Sequence, residues 1–253
     1  KRYAIRSIKS DGSFIITLAE TANVLERPVW RPDGQYTAYA EERDGNWDLW
    51  VSKSDASKSW RMTSSADMDT SPLWSPDGTK IAYKTAATTG SYNLTEENII
   101  SVANGFDAPT IYTWNGPQSI QMSGWSPDGT MIAYTAEAVS GTSGKDRISY
   151  LVALSEVTLT GSTAQAANSQ VLSAVSLGDR GALFSPDGSM VVFWGWDQSY
   201  RAVLWLYDVS SKNVRRLTTE GFDYNPRWSP DSKKIVFESN RGGDLDIWVM
   251  SVE

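Results

Sequence analysis

One ten-residue unit, Trp74-Ser75-Pro76-Asp77-Gly78-Thr79-Lys80-Ile81-Ala82-Tyr83, constrains the fold more than any other feature, because the chain repeats it. It recurs as Trp30-Arg31-Pro32-Asp33-Gly34, Trp125-Ser126-Pro127-Asp128-Gly129 and Phe184-Ser185-Pro186-Asp187-Gly188. A fifth copy, Trp228-Ser229-Pro230-Asp231-Ser232, has serine in place of the glycine. Proline presets φ at the first turn position, aspartate suits the second, and glycine accepts the left-handed conformation that returns the chain to the next strand. An aromatic residue precedes each turn, and an apolar run follows the later four: Ile81-Ala82-Tyr83, Ile132-Ala133-Tyr134, Val191-Val192-Phe193 and Ile235-Val236-Phe237. Each copy therefore reads as strand, tight turn, strand.

Successive strand residues face opposite ways, so an unbroken apolar run implies a strand buried on both faces. A two-layer sandwich would alternate apolar and polar residues instead. Blades of a β-propeller are buried on both faces because each lies between two others. The turn prolines are spaced 44, 51, 59 and 44 residues apart, close to the 40–45 residues of a WD-type blade plus loop insertions. The prediction is an all-β propeller of four-stranded antiparallel blades, one domain over residues 1–253. Its repeats cover about 28–63, 71–114, 120–176, 181–219 and 225–253. Residues 3–19 read as a hairpin around Ser10-Asp11-Gly12. The ring is expected to close by pairing the strand Phe14–Leu18 with the C-terminal blade.

In these units the chain resembles TolB-type propeller repeats, the Pro-Asp relatives of WD repeats. The stretch Ser239-Asn240-Arg241-Gly242-Gly243-Asp244-Leu245-Asp246-Ile247-Trp248-Val249-Met250 and the strand Arg215-Arg216-Leu217-Thr218 carry the resemblance further. The family usually has six blades, whereas five turn motifs occur here; five is favoured and six stays open. The resemblance implies a periplasmic or extracellular scaffold of a bacterial envelope that binds a protein or peptide at the channel mouth. Prolyl-oligopeptidase-like peptidases carry a similar propeller ahead of an α/β-hydrolase domain. A gating domain of such an enzyme, with its catalytic domain outside this chain, is therefore the alternative. A carbohydrate-binding propeller, suggested by 12 tryptophans, is a third.

Composition narrows the chemistry. Lys and Arg number 23 against 30 Asp and Glu, a net charge of −7, and the basic face that phosphate contacts need is not evident, which disfavours nucleic acid. The apolar stretches are a few residues long, too short for a membrane-spanning helix. Histidine and cysteine are both absent. This excludes Ser-His-Asp and Cys-His catalysis, histidine-ligated metals, disulfides and thiol chemistry within the chain. No Gly-x-Ser-x-Gly elbow is present either. The expectation is a protein that is not itself an enzyme and has no cofactor, a single calcium ion being the one candidate.

Three aspartates, Asp69, Asp179 and Asp223, each lie five residues before a motif aromatic. That position opens the innermost strand of a blade. The three carboxylates are expected around one channel mouth, as a site for a cation or a basic peptide end. The plainer alternative is that each caps its own strand through turn hydrogen bonds. Asp67-Met68-Asp69 and Asp244-Leu245-Asp246 could offer calcium ligands but lack the form of an EF-hand loop. The segment Gly141-Thr142-Ser143-Gly144-Lys145-Asp146 lacks the first glycine and the final Ser or Thr of a phosphate loop, and reads as a loop tip. Ala19–Arg27 and Gly161–Asn168 read as connecting segments. Trp30, Trp74, Trp125 and Trp228 are expected to pack between blades, and Trp50, Trp205 and Trp248 to join the core. Trp47, Trp114, Trp194 and Trp196 lie outside both registers and are candidates for an exposed binding face. If the fifth turn matches the others, Ser232 must take a positive φ.

Overall fold

A computed structural model of the protein describes residues 2–21, 25–86, 95–115, 120–140, 147–174 and 181–252. Strands and turns account for the secondary structure, and no helix occurs among the described residues. The chain forms two compact units, residues 1–119 with 159–165 and residues 120–158 with 166–253.

The first unit opens with a hairpin of β1 (Tyr3–Ile8) and β2 (Ile15–Thr21). A four-stranded antiparallel sheet follows: β3 (Val29–Trp30), β4 (Tyr36–Arg43), β5 (Asn46–Lys53) and β6 (Ser59–Arg61). The next repeat supplies β7 (Met68–Trp74), β8 (Lys80–Ala86), β9 (Thr95–Ser101) and β10 (Thr110–Asn115), again antiparallel and in chain order. Beyond β10, Thr113–Asn115 pairs in parallel with Thr163–Gln165.

The second unit holds β11 (Ile120–Trp125), β12 (Met131–Ser140) and the larger parts of β13 (Arg147–Thr160) and β14 (Thr163–Ala174), whose residues 159–165 belong to the first unit. Then come β15 (Leu183–Phe184), β16 (Met190–Trp196), β17 (Ala202–Asp208) and β18 (Val214–Arg216), a four-stranded sheet. The last sheet has three strands: β19 (Asp223–Trp228), β20 (Lys234–Ser239) and β21 (Asp246–Ser251).

The repeated turn is built the same way in the four copies that carry serine. In the second, the Gly78 amide donates to the Ser75 carbonyl at 2.9 Å. Ser75 Oγ donates to Asp77 Oδ1 at 2.5 Å and accepts from the Lys80 amide at 2.9 Å, and the Thr79 amide donates to Asp77 Oδ1 at 3.0 Å. Ser126 with Asp128, Ser185 with Asp187 and Ser229 with Asp231 repeat the arrangement. These hydrogen bonds hold the carboxyls of Asp128, Asp187 and Asp231 below the usual range, Asp187 at about 2. At Asp77 burial opposes ionisation, but the bonds from Ser75, Thr79 and Lys80 prevail and its carboxyl is low as well. The first copy has Arg31 in place of the serine; it keeps the backbone bond from Gly34 and the Gln35–Asp33 contact. Gly34, Gly78, Gly129 and Gly188 all have positive φ, and so does Ser232, at 61°.

Apolar runs are buried on both faces, as their unbroken pattern predicts. Val191 and Phe193 of β16 pack with Val152, Leu154 and Tyr207, whereas Val192 and Trp194 pack with Leu204, Ile235 and Phe237. In the first unit Ala38, Leu49 and Val51 meet Trp74, Ile81 and Tyr83. Burial at this level contributes about 1.5–3 kcal/mol per large side chain.

Several expectations change. The pairing of Phe14–Leu18 with the C-terminal sheet is not among the described pairings: β2 pairs with β1, and Phe14 itself has a φ of 51°. The last repeat has three strands, not four. Gly161–Asn168 is not a loop; after a tight turn near Gly161 the chain enters β14, where cross-strand pairing outweighs a polar composition. Of the connector Ala19–Arg27, residues 19–21 belong to β2 and residues 22–24 lie outside the described residues. Trp30 is 45% exposed, unlike Trp74 and Trp125, because β3 is only two residues long and offers little sheet to pack against. Trp228 is partly buried, its indole donating to the Leu183 carbonyl at 3.0 Å. Trp50 and Trp205 are half-buried, as core members, whereas Trp248 is partly exposed. Trp114 and Trp194 are buried, and Trp47 and Trp196 pack against the cores, so none of the four offers a bare stacking face.

Candidate functional site

The inner strands of two repeats carry a β-bulge three residues before the aromatic. In β7 the register with β8 shifts between Thr70 and Leu73, with Ser71 at φ 56°. In β19 the register with β20 shifts between Tyr224 and Arg227, with Asn225 at φ 50°. A bulge places two residues opposite one and so reverses which face the preceding residues take. Trp74 pairs with Ile81 and Asp69 with Thr85, four residues apart on β8, so Asp69 shares the face of Trp74. Asp223 pairs with Ser239 and shares the face of Trp228 in the same way. Both aspartates consequently turn into the packed side of their sheets, at 2% and 0% exposure.

Their partners differ. Asp223 Oδ1 accepts from Arg241 Nη2 at 2.9 Å, and Ser239 Oγ accepts from Arg241 Nε at 3.0 Å. The guanidinium lies over the rings of Phe237 and Trp248, 4.8 and 5.3 Å from their centroids. Asp69 instead accepts from hydroxyls: Thr85 at 2.8 Å on Oδ1 and Ser65 at 3.2 Å on Oδ2, with Thr63 a third. Asn98 Nδ2 donates to the Thr85 hydroxyl at 2.8 Å and extends the chain of hydrogen bonds. Among the described residues, Asp69 has no ion-pair partner. Burial pushes its carboxyl above the ordinary value, against the pull of those hydroxyls and with help from the Asp48 charge. Burial, then the charge of Asp69, raises the Tyr83 phenol likewise.

Asp69 lines a cleft of about 440 Å³ within the first unit. Thr63, Ser65 and Asp67 form one wall, and Tyr83, Asn98 and Thr113, a cross-strand row on β8, β9 and β10, form another. A volume of this order falls in the range of small-ligand sites. Its lining can donate and accept hydrogen bonds and presents one buried negative charge.

Of the three sequence-predicted site residues, Asp69 lines this cleft, Asp223 is neutralised inside its own repeat, and Asp179 lies outside the described residues. Residues 141–146, the loop tip, lie outside them too. No group of three or more Asp or Glu residues is placed to hold a metal among the described residues, and Asp244 and Asp246 are exposed. Sequence reasoning missed Ser65, Thr85 and Asn98. The signal for Thr85 was available, because it sits 16 residues after Asp69 as Ser239 sits 16 after Asp223.

Comparison with known proteins bears on what such a site belongs to. A model of the TolB beta propeller domain matches residues 4–193. The chain belongs to this family. Its sheets are thus blades of a TolB-type propeller. A model of the dipeptidyl peptidase IV N-terminal region matches residues 185–252. Among solved structures, a putative TolB from Agrobacterium tumefaciens has 20% identity and a TM-score of 0.63, over 98% of this chain and 84% of that one. TolB from Acinetobacter baumannii has 17% identity and a TM-score of 0.57, over 98% of this chain but only 57% of that one. The β-propeller domain of the Trilobed protease from Pyrococcus furiosus, described as having an open velcro topology, has 14% identity and a TM-score of 0.66, over all of this chain and 78% of that one. At these identities the likeness concerns the fold.

Proposed function

We propose that this propeller is a non-catalytic binding module that takes a protein or peptide partner in an extracytoplasmic compartment of a bacterial envelope. The cleft over Asp69 carries the reading. It combines hydroxyl and amide groups suited to a peptide backbone with one buried charge, in a chain that has neither histidine nor cysteine. Rigid strands present these groups, so affinity would come from a pre-organised surface. Membership of the TolB propeller family supports a partner-binding role and an envelope location by analogy, which is weaker than the site itself. We propose, as the domain boundary, one propeller over residues 1–253.

The test is selection of a random-peptide display library on the purified chain. Enriched peptides should bind saturably at one site and remain uncleaved after long incubation. No enrichment, or hydrolysis of the selected peptides, refutes the reading.

A second reading has its own support in the match of residues 185–252 to the dipeptidyl peptidase IV N-terminal region. In it the chain is the propeller of a peptidase and screens access to a hydrolase domain. Coding sequence for an α/β-hydrolase segment next to this one would decide for it.

A further inference from the structure

Asp69 and Asp223 occupy one register of the repeat, follow the same bulge and are buried to the same degree. In the C-terminal repeat the fold provides the counter-ion, because Arg241 stands two residues after Ser239 and bonds to Asp223. The residue two after Thr85 is Ala87, which carries no charge. Among the described residues the hydrogen bonds to Asp69 come from hydroxyls, none from a cationic side chain, and Asp69 lines a cleft of about 440 Å³. A buried carboxylate without a positive partner is destabilising unless it takes up a proton or a cation.

We propose that the cleft over Asp69 receives a guanidinium or primary ammonium group of a peptide partner, which supplies to Asp69 the charge that Arg241 supplies to Asp223. This rests on the binding-module reading and specifies the chemistry of its site. Asp69 retains lone pairs beyond the bonds from Thr85 and Ser65. A guanidinium has five donors in a planar fork, enough to engage Asp69 and the Thr63, Thr113 and Asp67 oxygens of the lining together. The raised proton affinity of Asp69 agrees with a charge left uncompensated in the free protein. An inorganic cation would need several oxygen ligands of appropriate charge, and no group of three acidic residues is placed to provide them among the described residues.

The experiment is a titration of the full chain with Nα-acetyl-arginine-N-methylamide, followed by backbone NMR. The neutral isostere, Nα-acetyl-citrulline-N-methylamide, and Ca²⁺ alone serve as separate arms. The arginine derivative should shift the amides of Thr85, Asn98 and Thr113 saturably, and citrulline at least tenfold more weakly. Asp69→Asn should weaken the arginine derivative at least tenfold, whereas Glu220→Gln, the same loss of charge at an exposed site, should leave it unchanged. Equal binding of arginine and citrulline, shifts with Ca²⁺ alone, no shift with any probe, or unaltered binding in Asp69→Asn each overturns the proposal. The comparison of arginine with citrulline needs no variant, so it stands even if Asp69→Asn misfolds. If display peptides bind Asp69→Asn as well as the wild type, the binding module survives and the assignment of this cleft falls.

Discussion

Ser232 occupies the left-handed position that four other turns give to glycine, at φ 61°. A Cβ there crowds the backbone and costs on the order of 1 kcal/mol. Strain relief alone would make Ser232→Gly stabilising by about 0.5–1 kcal/mol, less the extra unfolded-state freedom of glycine. The tertiary structure alters that sum. Ser232 Oγ accepts a hydrogen bond from the Asp187 amide at 3.1 Å, reaching from one repeat turn to the next, 45 residues away. Losing that bond costs about 0.5–1.5 kcal/mol, toward the low end because the turn is partly solvated. The two effects nearly cancel, and Ser232→Gly should move Tm by about 2 °C or less in either direction. Ser232→Ala keeps the strained φ and loses the bond, so it should destabilise by about 1 kcal/mol, roughly 2–4 °C for a domain of this size. Thermal unfolding of the wild type and both variants, followed by circular dichroism at pH 7, measures the difference. A Gly variant more than about 4 °C above the wild type would show that the Asp187 bond contributes nothing. An Ala variant as stable as the wild type would refute a contribution from the bond, since both proteins keep the strained φ.

Other outcomes follow from the carboxylates. Asp77, Asp128, Asp187 and Asp231 have folded-state pKa values below the unfolded value of 3.8, so the stability they add is complete above about pH 4 and is lost as pH falls toward about 2. Acid titration of Asp187→Asn should show a shallower loss over that window than the wild type; an unchanged slope would refute the assignment. Asp69 has the opposite sign. Its folded pKa lies above 3.8, so the folded protein is progressively penalised as pH rises through that folded value. Asp69→Asn should therefore gain stability relative to the wild type at pH 7 and lose that advantage below pH 4, in paired denaturant melts; a variant less stable at pH 7 contradicts it. Arg241→Ala leaves Asp223 buried and uncompensated and removes the cover over Phe237 and Trp248. It should cost about 3–5 kcal/mol by urea unfolding, and a loss below about 1 kcal/mol would show that water replaces the guanidinium.

The repeat made most of the fold legible. Pro-Asp-Gly has few backbone options, and doubly apolar strands such as Val191–Phe193 have few environments, so turn and blade follow from local chemistry. Trp114 shows the limit: outside both tryptophan registers it looked available for binding, yet it is 5% exposed. Burial at such positions depends on which neighbours arrive, and no period of the sequence records that. Gly161–Asn168 failed for a related reason, since a polar run becomes a strand when another strand offers its backbone a partner.

Asp69, Asp179 and Asp223 were equivalent in the sequence, all five residues before an aromatic. That equivalence determined the strand position and nothing more. The bulges at Ser71 and Asn225 decided which face Asp69 and Asp223 take, because one extra residue in a strand of period two exchanges inside for outside. Tertiary packing then separated the two residues, giving Asp223 a guanidinium and Asp69 a cleft. A local motif determines local geometry, since turn and strand conformations depend on adjacent residues. The counter-ion of a buried charge depends on what fills the space around it, and that is decided only when distant segments pack.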